Sequence, residues 1–209
     1  MPAAIHVSRH PLILHNLATL RDVRTEPPEF RRMVRDLAQL LFYEATADLK
    51  LTTGTVRTPL AECASQRIAE TVGLVPILRA GLGMAEAMLE MLPSAQVWHL
   101  GVYRDHETAR PVTYYSKLPA RPQIDLAVVV DPMLATGGSA VAALDILKKS
   151  GVSRAAFVGL IAAPEGVKAL QDAHPDVPIY LAALDTNLDE HKYIVPGLGD
   201  AGDRQFATG

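Results

Sequence analysis

Asp131 ends an unbroken apolar run, Leu126-Ala127-Val128-Val129-Val130, and Thr136-Gly137-Gly138-Ser139 follow it closely. The run, from Ile124 to Val130, reads as a strand buried on both faces, since such strands lose the alternation that one wet face imposes. A helix then opens at Ser139, and Gly151 is placed to stop it. A strand, a turn of small residues and a helix N-terminus make an anion site. Backbone N–H groups point outward there, and the helix dipole favours negative charge. Gly137 and Gly138 let the backbone approach a phosphate, while Thr136 and Ser139 add hydroxyl donors. An acid beside that cradle would repel a phosphate. Asp131 makes chemical sense if it faces hydroxyls, a metal ion or a carbon that becomes positive, and a phosphorylated sugar offers all three. Two familiar phosphate loops are excluded, because neither GxxxxGK[ST] nor a GxGxxG after the strand is present.

A second stretch repeats the design with a cation. The apolar segment Thr71–Leu78 ends in Arg79-Ala80-Gly81-Leu82-Gly83, and a helix follows until Pro93. The planar fork of an arginine matches phosphate oxygens. A third stretch is Tyr193-Ile194-Val195-Pro196-Gly197-Leu198-Gly199-Asp200-Ala201-Gly202-Asp203-Arg204. Its glycines at 197, 199 and 202 suit a loop that comes close to a flat ligand.

The elements that position these stretches follow from periodicity. Residues 1–26 hold a short strand and a helix; His6, His10 and His15 fit no single helix face well, which weighs against a metal site. After Pro27-Pro28, the residues Phe30, Met33, Val34, Leu37, Leu40 and Leu41 form a helical stripe, with Arg31, Arg32 and Arg35 on its solvated face. Thr52–Thr58 is turn-like with a short strand in prospect. Leu60–Glu70 is expected to be helical, with Cys63 packed. Gln96–Tyr103 reads as a strand, with Val112–Ser116 as its antiparallel partner and the polar run Arg104–Arg110 between them. Arg154–Ala163 and Val177–Leu184 are further strands, and Pro164–His174 a helix. Strands alternating with helices predict an α/β fold with a mostly parallel sheet. Ligands then belong at the C-terminal ends of the strands.

Composition sets the outer limits. A chain of 209 residues with 49% hydrophobic content can fold as one domain with a substantial core. Twenty basic against 23 acidic residues leave a net charge of −3, which predicts no nucleic-acid or anionic-membrane partner. A lone cysteine excludes an internal disulfide and suits a reducing compartment. No apolar run reaches about 18 residues. The segment MPAAIHVSRHPLI has no signal-peptide core, so a cytoplasmic protein is expected.

The three stretches occur together and in order, and they resemble those of the type I phosphoribosyltransferases, more narrowly the uracil phosphoribosyltransferase branch. DPMLATGGS resembles that family's loop for 5-phosphoribosyl 1-diphosphate (PRPP), with Pro132 where other branches carry a second acid. PILRAGLGM resembles its diphosphate loop, and YIVPGLGDAGDR its base-binding segment. The resemblance implies a Rossmann-like, mostly parallel sheet flanked by helices, with a β-hairpin arm and a small hood. The core would run over about 60–184 and the hood over about 185–209 plus the N-terminal segment.

The implied reaction is uracil plus PRPP giving UMP and diphosphate. The implied catalytic residues are Asp131, Arg104 and Asp200. PRPP would be bound by Arg79, Arg104, Asp131, Pro132, Met133, Leu134, Ala135, Thr136, Gly137, Gly138, Ser139 and Asp200. Uracil would be read by Ile194, Gly199, Asp200 and Ala201. Mg²⁺ would be held mainly by substrate and water, with Asp200 the one protein group in reach. The resemblance further implies a homodimer or larger assembly, GTP as an activator in parts of the family, and a cis non-proline peptide within Leu78–Ala80. His106 stands where relatives commonly carry an acid. The ending Gln205-Phe206-Ala207-Thr208-Gly209 departs from the commoner one, and no effect on catalysis is expected from it. Two rivals are an RNA-binding regulator on the same fold, disfavoured by the charge balance, and a purine phosphoribosyltransferase, disfavoured by the 193–204 segment.

Overall fold

The computed structural model describes residues 3–104, 111–116, 118–119 and 122–208. The elements in chain order are β1 (Ile5–Val7), α1 (Pro11–Arg21), α2 (Pro27–Ala45), β2 (Leu51–Arg57), β3 (Glu62–Ile68), β4 (Val72–Leu78), α3 (Leu82–Met91), β5 (Gln96–Val97) and β6 (Leu100–Arg104). They continue with β7 (Pro111–Ser116), β8 (Leu126–Val130), β9 (Met133–Leu134), α4 (Gly138–Lys149), β10 (Ala155–Ala162), α5 (Pro164–Ala173), β11 (Ile179–Leu184), β12 (Asn187–Leu188), β13 (Ile194–Val195) and α6 (Ala201–Phe206).

Among the described residues the main sheet runs β1-β11-β10-β8-β4-β6-β7, with β5 beside β4 and β9 beside β10. Every pairing in it is parallel except β6 with β7. The central strands are buried along their length, and successive residues serve opposite faces. Leu74, Val128 and Val158 join the core under α2 and α3, while Val75, Val129 and Phe157 join the core under α4 and α5. Two buried faces explain why the apolar runs are continuous. α2 contributes Phe30, Met33, Val34, Leu37 and Leu41 to the first core, the stripe its spacing predicts.

Four expectations are corrected. Residues 60–70 are not a helix: Glu62–Ile68 is β3, paired antiparallel with β2 from Arg57↔Glu62 to Leu51↔Ile68. Its Ala and Glu favour a helix, but the cross-strand partner at 51–57, with three threonines and a valine, overrides them. The turn is closed by Thr58, whose N–H donates to the Ala61 carbonyl at 2.8 Å. Cys63 on this hairpin is exposed, not packed.

Residues 96–103 are two strands, β5 and β6, rather than one. The break at Trp98-His99 lies opposite Val75-Pro76, where Pro76 has no N–H to donate to a neighbour. The tail after β11 is more ordered than a glycine-rich loop, forming the β12–β13 ladder and α6.

The N-terminal histidines have structural partners. His6 stacks on Tyr180 with ring centroids 4.5 Å apart. His10 caps α1, its Nδ1 accepting from the Leu12 N–H at 3.2 Å.

Candidate active site

β4 and β8 are adjacent and end together, Pro76 lying opposite Val130. The loops that carry Arg79 and Asp131 therefore leave the sheet from the same edge. They also touch. A Cβ on Gly81 would come within 2.4 Å of the Val130 carbonyl oxygen, so only glycine permits this approach. The peptide Leu78–Arg79 is cis, within the expected segment. Arg79 is exposed, with its guanidinium 6.0 Å from the centre of the Phe206 ring.

Asp131, Met133–Ala140 and the first turn of α4 enclose a concavity of ≈ 80 Å³. Gly137 precedes α4 with φ +80°, a conformation that L side chains seldom adopt. Its α-carbon lies against α5, since a Cβ there would sit 2.8 Å from the Gly166 carbonyl oxygen. The turn is thus held open by close backbone packing, with the N-terminus of a helix of 12 residues behind it.

Asp131 is partly exposed at the mouth of this cradle, and its Oδ1 accepts a long bond from the Met133 N–H at 3.4 Å. Its pKa is raised to about 7, chiefly by burial, with the Met133 N–H partly opposing the rise and the charge of Asp200 adding to it. Asp200 therefore lies close enough to feel Asp131. It caps α6, its Oδ1 accepting from the Asp203 N–H at 2.9 Å.

The base-loop candidates group together in the tail. Ile194 is buried in β13, Ala201 is buried at the start of α6, and Gly199 is exposed with φ +79°. Arg104 ends β6. The polar tip at 105–110, with His106, lies outside the described residues.

Four residues with a part in the site carried no role in the sequence reading. Asp185 follows β11 just as Asp131 follows β8, a parallel that was there to be read. Its carboxylate takes two bonds from Arg21, one at 2.9 Å, and a third from the Gly197 N–H at 2.9 Å. Arg21 also donates to the Gly197 carbonyl at 2.7 Å. Arg204 donates to the carbonyls of Leu20 and Leu198 at 2.9 and 2.8 Å and to that of Asp22 at 2.7 Å. Gln205 is 1% exposed and bonds to Ala80 and Ala201. Arg31, exposed on α2 as expected, also donates to the Gln205 carbonyl at 2.7 Å.

A parallel sheet with two anion turns at one edge and a cap of loops above them is the architecture of the phosphoribosyltransferases. The hypoxanthine phosphoribosyltransferase of Staphylococcus aureus shares the fold at 12% identity, with a TM-score of 0.53 over 80% of this chain and 84% of that one. The AQ2163 protein of Aquifex aeolicus superposes with a TM-score of 0.92 and 38% identity over 98% of both chains. The uracil phosphoribosyltransferase family model matches residues 7–208. A uracil phosphoribosyltransferase of Roseiflexus sp. (strain RS-1) is 62% identical over 99% of this chain and 100% of its own length. The chain belongs to the uracil phosphoribosyltransferase family.

The raised proton affinity of Asp131 has a measurable consequence in the ligand-free protein. An acid whose folded pKa exceeds its unfolded value binds its proton more tightly when folded. Its favourable contribution is complete below the ordinary value of 3.8 and is lost as pH rises through about 7. Asp131→Asn should therefore stabilise the free protein at about pH 8.5, by at most about 4 kcal/mol, and bring a gain less than half as large at about pH 5. Thermal unfolding at the two pH values checks this; equal shifts at both would show that Asp131 ionises normally.

Proposed function

We propose that this chain transfers the 5-phosphoribosyl group of PRPP to uracil through the residues gathered at the β4–β8 edge. Uracil N1 bonds to ribose C1 and gives up its proton, while the C1–oxygen bond breaks and diphosphate leaves. The observation that carries this reading is the anion cradle of 131–140 with an acid at its mouth. The turn Ala135–Ser139 and the start of α4 receive the 5-phosphate through backbone N–H groups and hydroxyls, with Pro132, Met133 and Leu134 shaping the approach. Asp131 faces the ribose, where the ring gains positive charge as diphosphate departs. Arg79 and Arg104 take the diphosphate. Ile194, Gly199, Asp200 and Ala201 receive the base.

The donor set suits a metal that arrives with its substrate. Among the described residues no group of three or more acids, histidines and cysteines could hold a metal ion by itself. Asp200, exposed and close to Asp131, is the carboxylate that would add to a Mg²⁺ shell made mostly of diphosphate oxygens and water. When bound, Mg²⁺ neutralises charge on the leaving diphosphate.

We read the enzyme as a cytoplasmic homo-oligomer serving pyrimidine salvage. Among the described residues no helix is long and apolar enough to cross a membrane. The β2–β3 hairpin is exposed almost throughout, with Leu51, Leu60 and Ile68 open to solvent. A lone two-stranded ribbon is marginal in water, so a second subunit is the natural cover for it. Light scattering at micromolar concentration should give at least twice the chain mass of 22.5 kDa; a monomer would remove the argument.

The test of base choice is a panel of free bases with PRPP and Mg²⁺, following nucleotide formation. Backbone carbonyls of the glycine loop can accept from uracil N3–H, and its amides can donate to O2 and O4. Cytosine reverses two of these partners and leaves buried groups unpaired. Uracil should therefore be used at least about 10⁴-fold better than cytosine, with small 5-substituents such as fluorine tolerated. Cytosine turnover within about tenfold of uracil would refute the backbone readout. The same assay with and without GTP reads activation, to which no residue of this chain is assigned.

Asp131→Asn should lower kcat by about 10²-fold while weakening PRPP binding much less, because the charge it answers exists mainly in the transition state. A rise in KM alone, with turnover intact, would make Asp131 only a ribose contact.

A further inference from the structure

Gln205 lies outside the three motif stretches, in the ending that departs from the commoner one, and it is 1% exposed. Its amide nitrogen donates both hydrogens to main-chain carbonyls, to Ala80 at 3.0 Å and to Ala201 at 3.1 Å. Ala80 belongs to the arginine loop between Arg79 and Gly81. Ala201 follows Asp200 in the base loop. One buried nitrogen thus joins the two loops, which are 121 residues apart in sequence.

The joint is rigid from both sides. The amide oxygen lies against the first turn of α3, where a Cβ on Gly83 would come within 2.7 Å of it. The Gln205 main-chain carbonyl is held by Arg31 at 2.7 Å. Among the described residues, the other backbone hydrogen bonds of the loop run to its own strand and helix, from Gly81 N–H to the Ile77 carbonyl at 3.0 Å and from Leu82 N–H to the Arg79 carbonyl at 3.2 Å. The grip from Gln205 therefore crosses between the two candidate subsites.

We propose that Gln205 is a positioning residue that couples the diphosphate loop to the base loop. It sets the orientation of the Arg79–Gly81 backbone, and it transmits to that backbone whether the Asp200–Ala201 segment is engaged. The proposal rests on the assignment of the two loops to PRPP and uracil made above. A hydrogen bond of this kind needs an amide at this position: methionine would fill the volume and donate nothing, leaving the Ala80 and Ala201 carbonyls without this donor.

The experiment compares Gln205→Met with the unaltered protein in steady-state kinetics, varying PRPP and uracil in turn, with thermal unfolding as a check on folding. Loss of the joint should raise both KM values by about tenfold while kcat changes by less than about threefold. If both KM values stay within about twofold, or if kcat falls with KM unchanged, Gln205 does not position the loops.

A second variant guards against a failure to fold. In Gln205→Glu a protonated carboxyl can still donate one hydrogen to the Ala80 carbonyl, and the carboxylate cannot. The KM for PRPP of this variant should rise with pH relative to the unaltered protein, and a ratio independent of pH would overturn the proposal. Failure of the loop assignment itself reads differently, since the unaltered protein would then form no UMP.

Discussion

The chemistry of this protein hangs on the parallel pairing of β4 with β8. Five residue pairs, from Val72↔Leu126 to Pro76↔Val130, bring two strands to the same edge at the same level. Everything attributed to the site is measured from there. The cation-bearing loop begins just beyond Leu78, two residues past Pro76, and the acid-bearing loop just beyond Val130, and Gly81 lies directly on the Val130 carbonyl. The register is enforced from both faces. A slip of one residue would turn Val128 and Val130 away from α2 and send Ala127 and Val129 toward it, mismatching two cores at once. The precision of the site is therefore inherited from apolar packing well below it, which is sturdier than any contact between the loops themselves.

Above the edge the constraint is different in kind. The segments 185–200 and 20–25 have little regular ladder, so their main-chain groups need other partners. Two arginines supply them. Arg204 spreads its guanidinium over carbonyls from both segments and lies 4.4 Å from the ring centre of Phe30, on the stripe of α2 that faces the core. Arg21 pairs with the nearly buried carboxylate of Asp185, and both grip the peptide groups of Gly197. A planar fork with five donors suits this task better than an ammonium would. The cap is thus a polar assembly resting on a hydrophobic sheet. Ile194, Leu198 and Ala201 also anchor it to the core under α2, so apolar burial and these polar bonds hold it together.

This division explains what could be read in the sequence. Runs such as Leu126–Val130 and Val72–Leu78, and the stripe on α2, follow from burial and were legible residue by residue. The two turns that lead from strand to helix, after β4 and after β8, were legible because each follows a run of that kind. Leu60–Glu70 was not, because β3 owes its conformation to a partner strand and buries almost nothing. The break between β5 and β6 depends on a proline about twenty positions away, in the neighbouring strand. The cap was legible only as a glycine-rich segment. Its order comes from side chains reaching main-chain carbonyls across as many as 184 residues, and no local pattern encodes such bonds. Gln205 shows the limit most plainly, since nothing in its neighbours in sequence hints that its amide is buried against Ala80.

The electrostatics of Asp131 join the two halves of the structure. The sheet delivers this carboxyl to a place where burial disfavours its charge, and the cap sets a second acid, Asp200, within reach of it. Folding alone gains nothing from that arrangement, since an asparagine would make the same bond to Met133 without the repulsion. Positive charge brought to this place would relieve the repulsion, and the proposed reaction supplies it on the ribose carbon that loses its leaving group. A pKa raised to about 7 in the free protein also means that the negative charge is not fully in place until a ligand calls for it. Stability is given up locally at Asp131, a trade expected of a position shaped by a ligand rather than by folding and in keeping with the proposed place of this carboxyl beside the ribose.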